Sequence, residues 1–360
     1  MDNRVSAGAA ANAFERARFT GTASEYFGIW IVNVLLTILT LGIYSAWAKV
    51  RRNRYFYGNT VLLGRSFEYH ATGMQIFIGR LIVVALFIVV NILSAIHPLF
   101  SLVTTILILI ALPWLIMRGI RFNARVTSYR NVRFDFTGSA GGAFVSVMLG
   151  SLVAVVSLGL LAPLASRWLN RYVFNNLRYG NRPFHTDPRI GALYGALVVP
   201  ALMVVLGAVL VFTLGSTMIG WLQAYNAGAV RSDLGDALTA FGLYAILFSF
   251  FIVYGLAGLI YRADIHNMVW SSTWIDSRHK LRSDLSPVRF AWIVVSNVVV
   301  TLLTLGLMRP WAAVRLARYM AEHTAIRIEG EIGEVFTQFE ASGTAIGSEY
   351  MSMEGFDFGF

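Results

Sequence analysis

The side chains able to do chemistry are few and scattered. Six histidines (His70, His97, His185, His266, His279, His323) show no His-Glu-x-x-His or other ligand spacing and fall at loops or segment ends, as turn and interface residues do. No metal and no cofactor is expected. Without a cysteine, thiol catalysis, thiolate metal sites and disulfides are absent. Neither a Gly-x-Ser-x-Gly elbow, a phosphate loop nor a dinucleotide fingerprint occurs, so no catalytic residue is assigned and an enzyme is not expected. What recurs is arginine beside an aromatic ring, as Arg54-Tyr55, Arg171-Tyr172 and Arg318-Tyr319, with Trp47 and Arg51 or Trp311 and Arg315 a few residues earlier. A guanidinium next to an interfacial ring suits contact with a lipid phosphate or membrane-interface anchoring, a chemistry of binding rather than bond making.

The elements that position these residues lie in a membrane. Of 360 residues, 57% are hydrophobic and only 13% charged, and the mean hydropathy is +0.64. Such a balance excludes a soluble enzyme and a disordered scaffold. The net charge of +10 comes almost wholly from arginine, since Lys49 and Lys280 are the only lysines. These arginines flank apolar segments, where they act as topology determinants and phosphate partners, and no nucleic-acid partner is expected. Seven acids and no base fall between 329 and 360. The first eighteen residues contain no apolar h-region, so no cleavable signal peptide is expected.

An internal repeat organises the chain. Thr40-Leu41-Gly42 through Asn53-Arg54-Tyr55 returns 117 positions later as Ser157-Leu158-Gly159 through Asn170-Arg171-Tyr172, and 264 positions later as Thr304-Leu305-Gly306 through Arg318-Tyr319. In each copy an apolar helix (26–41, 141–158, 288–305) stops at Gly42, Gly159 or Gly306, read as a left-handed C-cap and hinge. A basic aromatic segment follows. Asn33 and Asn297 occupy equivalent places, where they could line a polar path or bond between helices. Stretches such as 59–69 and 131–136 alternate and read as short surface strands. Between the copies lie two apolar hairpins, 74–96 with 99–117 and 190–217 with 237–260, each segment long enough to cross a hydrocarbon core of about 30 Å.

The predicted fold is an all-α polytopic membrane protein of three pseudo-repeats separated by two transmembrane hairpins, with short surface strands. Its parts are a polar segment 1–18, repeat 1 at 19–73, hairpin 1 at 74–117, repeat 2 at 118–189, hairpin 2 at 190–260, repeat 3 at 261–328 and an acidic tail 329–360. All the long connections (47–73, 118–140, 164–189, 261–289) are basic. Positive charge on every connection is satisfied if all lie in the cytoplasm, which needs four full spans and three re-entrant repeat helices. The alternative is seven spans with inverted repeats.

At Phe19-Thr-Gly-Thr-Ala-Ser-Glu-Tyr-Phe-Gly, Trp30, Asn33 and Thr40-Leu-Gly-Ile-Tyr-Ser-Ala-Trp-Ala-Lys-Val-Arg, the chain resembles the YjgN-like family of bacterial inner-membrane proteins. The resemblance runs to Phe356-Asp357-Phe358, while copy two departs from it at Leu161-Ala162-Pro163-Leu164. It implies a multi-pass inner-membrane location and, since the family has no known function, no site residues. The repeat plan points to a channel or transporter-like permeation unit, the alternative being a membrane-organising scaffold that binds anionic lipid. Anionic membrane lipids are the expected partners, and the tail is expected in the cytoplasm.

Overall fold

A computed structural model describes residues 13–227 and 233–330. The first twelve residues and the acidic tail from 331 onward lie outside the described residues.

The short polar stretches build one sheet. Eleven strands, β1 (Glu15–Arg16), β2 (Arg18–Phe19), β3 (Thr60–Leu62), β4 (Arg65–Tyr69), β5 (Thr127–Tyr129), β6 (Val132–Phe136), β7 (Leu177–Tyr179), β8 (Arg182–Thr186), β9 (Thr273–Ile275), β10 (His279–Ser283) and β11 (Thr324–Arg327), pair antiparallel in the order β1-β11-β10-β9-β8-β7-β6-β5-β4-β3-β2. The first and last strands of that order are separated only by Ala17. One extended segment therefore pairs with β11 on one side (Glu15 opposite Ile326) and with β3 on the other (Arg18 opposite Val61), and the sheet curls round on itself as a barrel. The expectation of an all-α protein is wrong for this reason: the short strands are not isolated surface pieces but the staves of one barrel. Closing the ladder leaves no long edge exposed.

Local sequence explains each stave. Along β6 (Val132, Arg133, Phe134, Asp135, Phe136), alternate residues turn inward and outward. Asp135 stands opposite Arg178 on the outer face. Inside, Phe67 and Tyr129 meet with ring centroids 4.8 Å apart, and Phe134 and Tyr179 at 5.0 Å. Each such pair contributes about 0.5–1.5 kcal/mol beyond its buried area. The turns take left-handed backbone: Leu63 and Gly64 at φ +48° and +74°, Arg130 and Asn131 at +48° and +63°. Two successive positive φ values match the strand twist of a tight hairpin.

Among the described residues ten helices complete five helical hairpins. Three are short: α1 (Ala23–Leu39) with α2 (Ser45–Gly58), α5 (Ala140–Val156, with a π-helical turn at Phe144–Leu149) with α6 (Ala162–Asn175), and α9 (Pro287–Leu303) with α10 (Arg309–Glu322). Two are long: α3 (Gly73–Ile96) with α4 (Pro98–Arg125), and α7 (Ile190–Ala227) with α8 (Asp233–Ser271). Among the described residues, four helices are long and apolar enough to cross a membrane, and all four belong to the long hairpins. Neighbouring strands run antiparallel and are joined at one barrel end by β-turns, so topology places all five helical hairpins at the other end. Strands bonded to one another cannot lie on opposite sides of a hydrocarbon layer of about 30 Å. The four strand-turn-strand connections therefore share one end of the barrel.

Around the ring the hairpins alternate short, long, short, long, short. Five is odd, so two short hairpins meet where the ring closes: α10 packs against α1.

Candidate functional site

The arginines of the Arg-Tyr pairs each reach the chain that leads into the next hairpin. Arg54 donates to the carbonyl of Ala71 (3.2 Å) and Arg318 to that of Gly21 (3.1 Å), while Arg171 faces the Asp187 carboxylate at 3.7 Å. Two equivalents escape the sequence reading because they lie at the ends of the long hairpins. Arg121 donates to the carbonyls of Phe136 and Gly138, both at 3.0 Å, and Asn267 exchanges bonds of 2.8 Å with the backbone of Leu285. All five stand six residues before a strand and hold a linker one or two residues beyond the next. The signal that finds them is distance to the following strand, not the Arg-Tyr dipeptide.

The tyrosines act within a hairpin. Tyr55 and Tyr172 donate to the carbonyls of Thr22 and Ser139, both at 2.8 Å, and Tyr319 accepts from the amide of Ser286 at 2.9 Å. Thr22, Ser139 and Ser286 are the N-caps of α1, α5 and α9. Burial raises the pKa of each of the three phenols.

Higher in the short hairpins, Asn33 and Asn297 are buried on α1 and α9 and meet an arginine of the returning helix. Arg51 lies 3.5 Å from the Asn33 Oδ1, and Arg315 lies 3.1 Å from that of Asn297, whose Nδ2 donates to Ala312 at 3.0 Å. Copy two replaces both partners, with Gly150 and Trp168 at the equivalent positions. At the tips, the residue after each helix cap is a leucine in left-handed backbone (Leu41 at φ +49°, Leu158 at +52°, Leu305 at +50°), and Gly42, Gly159 and Gly306 follow at φ +94°, +88° and +91°. No amide from Thr40 to Ser45 is left without a partner: Gly42 reaches Thr37 (2.7 Å), and Tyr44 reaches the Thr40 hydroxyl (2.9 Å).

At the seam where α10 meets α1 lies a cavity of about 490 Å³, lined by Trp311, Arg315, Arg318 and Tyr319 together with Arg289 and Trp292 of α9. Thr22, Ala23 and Glu322 also face it. Arg315 lies 5.1 Å from the Trp311 ring centre and donates to Ser296 at 2.7 Å; Arg289 lies 5.7 Å from the Tyr319 ring. Three guanidiniums against one carboxylate give an electropositive, aromatic-edged recess whose Trp292 is 65% exposed. Such a recess suits an anionic phosphate on an apolar body.

The equivalent residues of hairpin one do not form such a site. Trp47 packs against Phe77 (5.6 Å) of α3, over Gly73, where even a Cβ would come within 2.3 Å of its ring. Thus Trp311, Arg315, Arg318 and Tyr319 come together, whereas Trp47, Arg51, Arg54, Tyr55, Arg171 and Tyr172 are distributed among other interfaces. The residues that sequence reasoning missed are Arg289 and Trp292. Among the described residues no cluster of histidine and acidic side chains could hold a metal ion.

A barrel carrying four membrane-length helices in two of its five hairpins fits a polytopic membrane protein. The chain belongs to the family described as Bacterial protein of unknown function (DUF898), whose profile matches residues 14–353. It is 25% identical over 352 residues to Inner membrane protein YjgN of Salmonella typhimurium, covering 86% of this chain and 87% of that one. It is 35% identical over 153 residues to Inner membrane protein YjgN of Escherichia coli O157:H7, a match covering 42% of this chain and 38% of that one. No solved structure matches. The chain is thus similar over most of its length to a protein named for the inner membrane.

Proposed function

We propose that the protein is a membrane-embedded scaffold that binds anionic phospholipid at the seam, without enzymatic chemistry. The observation that carries this reading is the recess of Arg289, Arg315 and Arg318 edged by Trp292 and Trp311. Guanidinium forks take phosphate oxygens, and the indoles take the glycerol level of the lipid. The aromatic lining of the barrel by Phe67, Tyr129, Phe134 and Tyr179 favours this reading over a hydrophilic permeation path.

The three short hairpins re-enter the bilayer from the barrel side. Their tip leucines, Leu41, Leu158 and Leu305, are 91–95% exposed, an arrangement that hydrocarbon favours and water does not. Their tip amides are bonded internally, as backbone at membrane depth requires. A first helix of 17 residues reaches about 25 Å, short of a full crossing of about 30 Å. The basic residues of the barrel support a cytoplasmic side for it by the positive-inside rule.

The test is native mass spectrometry of the full chain from nanodiscs of phosphatidylethanolamine and phosphatidylglycerol. Phosphatidylglycerol is expected to be retained preferentially and to fall roughly fivefold in Arg289→Gln, about 1 kcal/mol of binding, while Arg52→Gln leaves it unchanged. Equal retention of the two lipids would overturn the proposal.

A further inference from the structure

The barrel holds more space than its own side chains fill. A cavity of about 580 Å³ lies within it, bounded by strand residues such as Phe67, Phe134 and Phe184 and by the last turns of helices at Phe56, Phe174 and Trp270. The helix residues belong to three different hairpins, so the cavity reaches the barrel end from which the hairpins enter the membrane.

Several polar atoms in the wall are engaged with protein. Tyr129 donates to the carbonyl of Leu62 (2.6 Å), Tyr179 to that of Tyr129 (2.8 Å), and Thr324 to that of Met320 (2.8 Å). His266 Nδ1 is bonded to the Ser283 hydroxyl at 3.1 Å, and His279 Nδ1 accepts from the amide of Glu329 at 3.2 Å. Water placed there meets few partners. An apolar void of about 150 Å³ already stays dry and takes up benzene, and this one falls within the roughly 300–1,000 Å³ of ligand pockets. Left empty, it would cost every lining atom its dispersion contacts.

We infer that the barrel lumen is a binding site for one long hydrocarbon chain, drawn from the bilayer past the helix ends. Hydrocarbon chains are the apolar molecules at highest concentration beside those helices, and the wall offers them contact without asking for a hydrogen bond. The site is separate from the seam, and its chain comes either from a phospholipid or from a free fatty acid.

Photo-crosslinking decides it. Full-length protein in nanodiscs is irradiated in two arms, one with a phosphatidylcholine bearing a diazirine in its acyl chain and one with a free diazirine fatty acid, and the adducts are mapped by peptide mass spectrometry. Adducts are expected on Phe134, Leu177 and Phe184, strand residues that bulk lipid does not reach, and the arm that gives them identifies the source. In Ala317→Trp, which fills the cavity from α10, these adducts are expected to fall roughly tenfold while those on the exposed Phe87 and Phe248 persist. Adducts confined to exposed helix residues in both arms of the unaltered protein would overturn the inference, whether or not the filled variant folds.

Discussion

Hairpins one and five share the repeat's tryptophan, asparagine and Arg-Tyr positions and end in different states. Trp47 and Trp311 hold the same repeat position, each one turn before an arginine that meets a buried asparagine. Trp47 is packed against a long hairpin through Gly73, the first residue of α3. Trp311 faces the matching first residue of α1, Ala23, across an open recess. The difference lies in the neighbour: an odd number of units in an alternating ring leaves one junction with a short hairpin on both sides. The candidate site combines ring closure with two residues particular to copy three, Arg289 and Trp292, whose places in copy one are taken by Glu25 and Gly28.

The largest effect is expected from closing the Trp47 notch. Gly73→Leu should destabilise the protein by about 3 kcal/mol, the upper range for overpacking, seen as a lower thermal midpoint in detergent. Its reciprocal, Ala23→Gly, removes the Cβ opposite Trp311 and should cost only about 1 kcal/mol as a helix-terminal glycine; it is expected to narrow the seam and reduce retained phosphatidylglycerol. Next comes the buried latch. Asn297→Ala, which strands Arg315 and a carbonyl, should cost about 2 kcal/mol, and Asn33→Ala, whose arginine contact is longer at 3.5 Å, about 1 kcal/mol. Equal losses would mean the two hairpins are not distinguished at this level.

A smaller effect is expected from pH. Burial lowers the pKa of the His279 imidazole; Asp276 and Glu329 pull the other way, and Arg278 and Arg182 reinforce the burial. As pH falls below the ordinary value of about 6.5, the unfolded chain takes up a proton that the folded barrel refuses, so stability is full above that value and declines toward the lower folded pKa. The thermal midpoint should therefore drop as pH is lowered through this window, and His279→Gln should flatten the slope.

Much of the helical plan was legible from sequence. Long apolar runs announce α3, α4, α7 and α8, and exact recurrence of Thr/Ser-Leu-Gly announces the three tips. Alternation at 59–69 and 131–136 marks strands, yet not their union. Strands of three to five residues carry too few alternations to stand out, and the pairing that closes the barrel joins Glu15 to Ile326 across nearly the whole chain. The turn at Arg130-Asn131 hides its left-handed backbone behind a residue other than glycine. At the site, Trp311, Arg315, Arg318 and Tyr319 were readable as recurring residues; that they meet Arg289 and Trp292 follows from packing between α9 and α10. The fivefold clasp stayed hidden because Asn267 stands where arginine is expected and Arg121 lacks a following tyrosine.

The central claim is that one barrel, on one side of the membrane, receives both ends of every hairpin. The cysteine-free sequence makes sided labelling direct. Single cysteines at Gly64, Asn131, Asn181 and Ser277 probe the four β-turns, and His97→Cys probes the tip of the first long hairpin. Intact cells with a permeabilised outer membrane are treated with a membrane-impermeant maleimide. The account predicts that His97→Cys is labelled while all four turn positions are protected until the inner membrane is broken. Turn positions divided between the two classes, or labelled together with His97→Cys, would contradict it.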